Sequence, residues 1–374
     1  VGEQGVPAYN SLSRYNPYVT YLNNIVRSAV LLENLASSNL SWETTYQTDI
    51  GLEIGFLNNR YSLEVDYYNK RTEDLLLNKP LPGTAGETRL ENIGEIENKG
   101  FEISINSLNI DKPDFTWSTA LTISANKNEV LTLGGEDFIN LSSPGQASGP
   151  SVRIIPGQPI PAFLGATYLG TYKTPAEIDA DGVVGSILGG PRYIDENGDG
   201  AINELDFNVV GNPNPDFYGG IRNTITYKDF TLDFFFNGSV GLELMNSAYH
   251  LSYFGRDARS NLLPIVRDRW TTSNQTSDIP RAGSSFGNYQ PRSTVSYQDG
   301  SFVRLKNITL RYNVDIPGTK SANIYLSANN LFLITGWEYG DPEVSNYGSG
   351  LNQGVVSANY PYNSTVALGF NISL

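Results

Sequence analysis

The densest run of oxygen-bearing side chains in the sequence is Asp195-Glu196-Asn197-Gly198-Asp199-Gly200-Ala201-Ile202-Asn203-Glu204-Leu205-Asp206. It matches a calcium-binding loop at the first, third, fifth, ninth and twelfth positions, with glycine at the sixth, where the chain must turn sharply, and an apolar residue at the eighth. The ligands would be the side chains of Asp195, Asn197, Asp199, Asn203 and Asp206 and the backbone carbonyl of Ala201. Asp206 stands where a bidentate glutamate is usual, and its shorter side chain favours weak Ca2+ binding or an octahedral Mg2+. No helical pattern flanks the run, so the ion is expected to staple a loop rather than work a switch. The competing reading is an Asx-rich turn without metal.

Other chemistry is sparser. Tyr249, Tyr253, Phe254, Trp270, Trp337 and Tyr339 fall in polar, loop-like stretches. They could stack on sugar rings or peptide side chains in an outward-facing mouth, or pack loop against loop or against a partner subunit; the sequence leaves both open. The acid pairs Glu64 with Asp66 and Glu95 with Glu97 could be glycosidase carboxylates, but nothing sets their separation or raises one pKa, and lumen-lining groups fit them better. Gly134-Gly135 and Gly189-Gly190 lack the strand-to-helix setting of a phosphate loop and read as turns. There is one histidine, His250, and no cysteine, which removes histidine triads, multi-histidine zinc sites, thiolate metal sites and cysteine nucleophiles. His250 is expected to be a solvated loop residue. No catalytic residue emerges, and the chain is read as a non-enzyme. A formal charge of −14 argues against a nucleic-acid partner.

The elements that would position these residues show a period of two. Ile50, Leu52, Ile54 and Phe56 alternate with Asp49, Gly51, Glu53 and Gly55, and after a turn at 57–60 the alternation resumes from Tyr61 to Tyr68. Further hairpins are expected around 101–124, 217–239 and 301–331, and a last strand places Val366, Leu368, Phe370 and Ile372 on one face. Tight turns within hairpins alternate with long loops at roughly 78–91, 132–215, 241–300 and 334–361. Short turns at one end and long loops at the other are the pattern of a transmembrane barrel, with the turns in the periplasm. The alternating runs are about 9–11 residues or slightly more, enough for a tilted strand to cross the hydrocarbon. Trp42, Tyr61, Tyr67, Trp117, Tyr227 and Tyr312 sit near run ends, as interfacial girdles require. Nine strands after residue 40 cannot close an antiparallel barrel, so the chain is expected to be part of a longer protein.

Asn39-Leu40-Ser41-Trp42-Glu43-Thr44-Thr45, followed by Gln47-Thr48-Asp49-Ile50-Gly51-Leu52, resembles a stretch of SusC/RagA-like TonB-dependent outer-membrane transporters. The same family is approached by Val65-Asp66-Tyr67-Tyr68-Asn69-Lys70, by Asn92-Ile93-Gly94-Glu95-Ile96-Glu97-Asn98-Lys99-Gly100-Phe101, by Val210-Gly211-Asn212-Pro213-Asn214-Pro215-Asp216-Phe217 and by Phe302-Val303-Arg304-Leu305-Lys306-Asn307. The order of the segments agrees as well. One departure is the end at Leu374, where such barrels often carry an aromatic residue.

The resemblance implies an all-β fold, a transmembrane antiparallel β-barrel of about 22 strands, of which this chain supplies the last nine or so, integral to a Gram-negative outer membrane. Residues 1–41 would be an extracellular loop region, 42–131 two hairpins, 132–215 a long extracellular loop with the metal motif, and 216–374 the remaining strands. It further implies import of an oligosaccharide or oligopeptide with a SusD-like lipoprotein. An N-terminal plug and the TonB–ExbB–ExbD motor would act from outside this chain, and two SusCD complexes could associate as a dimer. The rival class is a secreted β-rich glycan-binding or adhesin module with a calcium-stabilised loop, which predicts polar residues on both outer faces.

Overall fold

The computed structural model describes residues 12–22, 25–37, 39–80, 88–141, 152–254, 261–283, 292–338, 340–343, 351, 353–356, 360 and 362–373. In chain order, β1 (Arg14–Leu22) and β2 (Ile25–Asn34) form a two-stranded sheet of their own among the described residues, within the segment expected to be extracellular. Two hairpins follow, β3 (Thr44–Phe56) with β4 (Tyr61–Pro80) and β5 (Thr88–Lys112) with β6 (Phe115–Thr132). Next come short elements: β7 (Ile139–Asn140), β8 (Val152–Ile154), β9 (Ala162–Ala166), β10 (Tyr168–Thr171), α1 (Pro175–Asp181), β11 (Pro191–Tyr193) and β12 (Phe207–Gly211). The long strands resume with β13 (Phe217–Tyr227) and β14 (Phe230–Val240). After them lie β15 (Glu243–Asn246), α2 (Ser247–Tyr253), β16 (Tyr297–Asp299), β17 (Phe302–Asn313), β18 (Ser321–Thr335), β19 (Val355–Val356) and β20 (Thr365–Ser373).

Nine strands form one antiparallel sheet in the order β20-β18-β17-β14-β13-β6-β5-β4-β3. Directly opposed residues share a face, so the register decides what that face is made of. Ile54 opposes Leu63, Leu63 opposes Ile105, Ile105 opposes Leu121, and Leu121 opposes Ile221, which opposes Phe236. Phe236 opposes Leu305, which opposes Phe332, and a second greasy row on the same face runs from Leu232 through Leu310 and Leu326 to Leu368. The opposite face carries Glu53, Glu64, Ser104, Thr122, Gly220 and Asn237 at the corresponding level.

Apolar side chains on the first face stay uncovered: Ile50 is 65% exposed, Val366 68% and Leu368 77%. Removing each from water would gain about 1.5–3 kcal/mol, so a whole face of them is stable only against lipid. Near the turns the rings gather, Phe230 against Tyr312 at 4.6 Å, Phe56 against Tyr61 at 6.3 Å and Phe115 against Tyr227 at 6.5 Å, where an interfacial girdle belongs.

Two expectations about loops need correction. The loop placed at 78–91 is shorter, because β4 runs to Pro80 and β5 starts at Thr88, with Asn78 opposite Leu90. Above the greasy band the outward positions turn ionic, as in Arg71–Glu73 and Lys99–Glu97, and a search for hydrophobic alternation does not see them. The segments 132–215 and 241–300 are also far from structureless. They build a four-stranded sheet, β12-β9-β8-β7, a pair β10-β11 and, with β19 from the last long loop, a three-stranded sheet, β16-β15-β19, in which β15 and β19 run parallel. These elements form a folded cap at the loop end, and it holds most of the buried apolar residues. Leu164, Ala166, Tyr193, Phe207, Tyr253 and Phe254 make one cluster, and Val152, Phe163, Met245, Tyr297 and Val355 another.

Candidate functional site

The long strands position a hydrophilic wall on the face opposite the lipid. On β3 to β5 that wall carries Asp49, Glu53, Glu64, Asp66 and Glu102, with Glu53 opposite Glu64 and Asp66 opposite Glu102. Toward the other edge of the sheet the charge changes. Arg222 makes a bidentate pair with Asp233 at 2.8 and 3.0 Å, and Arg311 lies on the same face. Glu64 and Asp66 are thus wall residues on a polar face and not a catalytic pair in an apolar cleft. Glu95 is ion-paired to Arg71, and Glu97 to Lys99.

At the top of the wall an ionic knot ties the last long loop to β17. Arg304 and Asp341 are each 2% exposed and bond at 2.5 Å, and Arg304 Nε lies 2.6 Å from Glu343. Lys306 reaches Glu343 at 3.2 Å, the Asn237 amide donates to the same carboxylate, and Tyr362 lies over both cations. Removing one member of such a buried set strands a charge, at a cost of about 3–5 kcal/mol. Sequence reading missed this knot. Arg304 and Lys306 stand out as charges next to an alternating run, but their acidic partners lie 37 residues further along.

The cap positions the motif at 195–206. Ile202 and Phe207 anchor the loop in the cap core, and Gly198 and Gly200 take φ of 71° and 79°, values that suit glycine. The loop carboxylates accept from backbone amides. Asp195 takes Gly198 and Gly200 at 2.8 Å each, Asp199 takes Ala201 at 2.8 Å, and the fully buried Asp206 takes Glu196 at 3.0 Å and Asn203 at 2.7 Å. The Ala201 amide, with help from the Asn197 side chain, holds the Asp199 carboxyl below its usual range. Asn197 and Asn203 also point amides at Asp199. Among the described residues no group of three or more acidic, histidine or cysteine side chains converges closely enough to hold a metal ion. The loop as it stands is an Asx-turn network whose oxygens each serve an amide.

The loop aromatics are mostly interior. Tyr253, Phe254, Trp270 and Trp337 are 9%, 2%, 7% and 5% exposed, and Tyr249 packs on the same core as Tyr253 and Phe254. Trp270 is seated over Gly189, where a Cβ would come within 2.3 Å of the indole. These side chains hold the cap together and do not line an open mouth; Tyr339 lies outside the described residues. His250 also departs from expectation: it is fully buried on α2, its Nδ1 2.7 Å from Ser296 Oγ and its ring 5.0 Å from Phe254. The stretch reads as polar because its buried neighbours include Ser247, Ser252 and Ser296, whose hydroxyls are satisfied inside.

The comparisons with known proteins agree with this architecture. Residues 5–331 match the family described as TonB dependent receptor-like, beta-barrel. The chain is 38% identical to TonB-dependent receptor P26 of Formosa agariphila over its whole length, covering 39% of that protein. It is 27% identical to TonB-dependent receptor SusC of Bacteroides thetaiotaomicron, with 90% of this chain and 32% of that one aligned. The RagAB peptide transporter superposes on all of the chain and 39% of its own with a TM-score of 0.80 at 22% identity. The chain thus spans about two-fifths of the length of P26, at 39%. With a lipid-facing sheet, a hydrophilic opposite wall and a folded cap of loops, the chain belongs to the TonB-dependent receptor-like β-barrel family of outer-membrane proteins.

Proposed function

We propose that this chain forms the lumen wall and extracellular capture loops of an importer that takes an oligosaccharide or oligopeptide across the outer membrane. A SusD-like surface lipoprotein would close over the cap, two such complexes would associate, and the TonB–ExbB–ExbD motor would act through a plug outside this chain. The observation that carries the reading is the continuous hydrophilic face from Asp49 and Glu53 to Asn237 and Arg304, backed by an exposed apolar face and topped by a folded cap. A solvent-borne adhesin has no use for that apolar face. The likeness to SusC supports the lipoprotein partner, and the likeness to a peptide transporter supports the peptide arm of the cargo class.

The test uses the full-length protein in its own outer membrane. Cells with and without a working TonB system are given labelled oligopeptides and oligosaccharides, and the detergent extract is searched for a co-purifying lipoprotein. Uptake that needs TonB, together with a stoichiometric lipoprotein, supports the reading. Uptake unaffected by loss of TonB, or a barrel that purifies alone, overturns it.

We also propose that the 195–206 loop takes up a divalent cation, Ca2+ or Mg2+, to stiffen the cap. Asp195 Oδ2, Asp199 Oδ1 and both Asp206 oxygens each accept one backbone amide and keep a further lone pair for an ion. Binding would draw together these carboxylates, which do not converge as the loop stands. Asn197, Asn203 and the Ala201 carbonyl would complete the oxygen set. Calorimetric titration of the purified protein with Ca2+ and with Mg2+ should give binding that Asp199→Asn weakens; the absence of heat with both ions rules the site out.

A further inference from the structure

The outward face of β4, β5 and β6 ends in two tiers. The upper edge of the greasy band is Tyr67 opposite Phe101 and Phe101 opposite Ala125, and one step further from the turns Asn69 opposes Lys99 and Lys99 opposes Lys127. The neighbouring strand does not climb as high. β13 pairs with β6 only up to Tyr218 opposite Ser124, and above that level β6 is bonded instead by the cap segment 157–158 through Val130.

The space left where β13 departs is a cavity of about 600 Å³, in the range of small-molecule sites. Its lining is mostly apolar, with Tyr67, Phe101 and Phe217 below, Lys99 and Lys127 above, and Asp216 on the far wall. Phe101 and Phe217 are 52% and 56% exposed on the lipid-facing side, and their rings continue the band that meets the bilayer.

Charge fixes the orientation of an occupant. Glu97 and Glu129 lie two residues above the lysines on the same face and each takes one ammonium, at 2.5 and 2.9 Å. An ammonium has three donors, so both lysines keep donors for a second acceptor, and the glutamates direct that acceptor to the bilayer side. An apolar floor continuous with the lipid band, under a paired cationic ledge, complements an amphiphile with an acyl chain and a compact anion. Lysine suits phosphate as a point charge.

We propose that this cavity binds one phosphate-bearing lipid of the outer leaflet, with an acyl chain against Tyr67, Phe101 and Phe217 and the phosphate between Lys99 and Lys127. The site is independent of the cargo and of the import reading.

The test is native mass spectrometry of the full-length protein after detergent washing and incubation with diphosphorylated lipid A. Dephosphorylated lipid A and inorganic phosphate serve as the comparison and the competitor. The wild type should retain one lipid A per barrel. Retention should fall at least tenfold in K99Q/K127Q and in Phe217→Ser, with each variant still shifting on unboiled gels as a folded barrel does. Unchanged retention in either variant overturns the site. Equal retention of the dephosphorylated lipid reduces it to ordinary greasy contact, and full displacement by inorganic phosphate makes it a generic anion site; both results also overturn the proposal.

Discussion

Leu368 on the wall is 77% exposed, whereas Phe163 in the cap is fully buried and stacks on Tyr297 at 5.2 Å, although the two belong to the same chain and both are apolar residues in strands. The wall keeps its apolar surface outside because lipid supplies the missing contacts. The cap faces water and must make a core of its own. The two regions therefore answer differently to the same mutation, and five substitutions probe how far that difference goes.

The largest effect is expected from Phe163→Ala, which hollows the cap core beside Tyr297 and Met245 and costs about 3–5 kcal/mol. Limited proteolysis should cut the cap loops faster while the unboiled gel shift of the barrel persists. If wall and cap melt together, they are one cooperative unit and the comparison fails. Next is Leu368→Arg, which puts a charge in lipid at a cost of about 2–4 kcal/mol near the bilayer midplane. Ser327→Arg, opposite Ala367 on the polar face, should change stability by no more than about 0.5 kcal/mol. Urea unfolding in lipid vesicles measures both, and equal costs would mean that the faces have been assigned wrongly.

Gly189→Ala is smaller. It asks a Cβ to sit at φ of 72° against the Trp270 indole, at about 1–3 kcal/mol, and should show as a red-shifted, more quenchable tryptophan emission with the wall unaffected. The smallest effect is a pH dependence confined to the cap. Arg192, hydrogen-bonded to Asp181 at 2.7 and 3.0 Å, holds that carboxyl below its ordinary range. A lowered folded-state pKa contributes stability that is present above the unfolded value and lost as the pH falls through the folded one. The cap should loosen below about pH 4, by roughly 1 kcal/mol or less, and Asp181→Asn should flatten that part of the profile in hydrogen exchange.

The wall was legible in the sequence because a strand's alternation is local. Ile50 through Phe56 and Thr365 through Ser373 declare two faces without reference to any other segment, and turns such as Lys228-Asp229 fix which strands are neighbours. The metal motif was legible for the same reason, since all its groups lie within twelve residues, yet whether its oxygens converge on an ion depends on how the cap holds Ile202 and Phe207. The burial of His250 beside Ser296, the tie from Arg304 to Asp341 and Glu343, and the seating of Trp270 over Gly189 join residues from about 35 to 80 positions apart. Nothing in the spacing of such residues states their distance in space. Composition can say that a residue is apolar; whether it faces lipid, as Leu368 does, or a core, as Phe163 does, is settled only when the distant segments that would cover it have found their places.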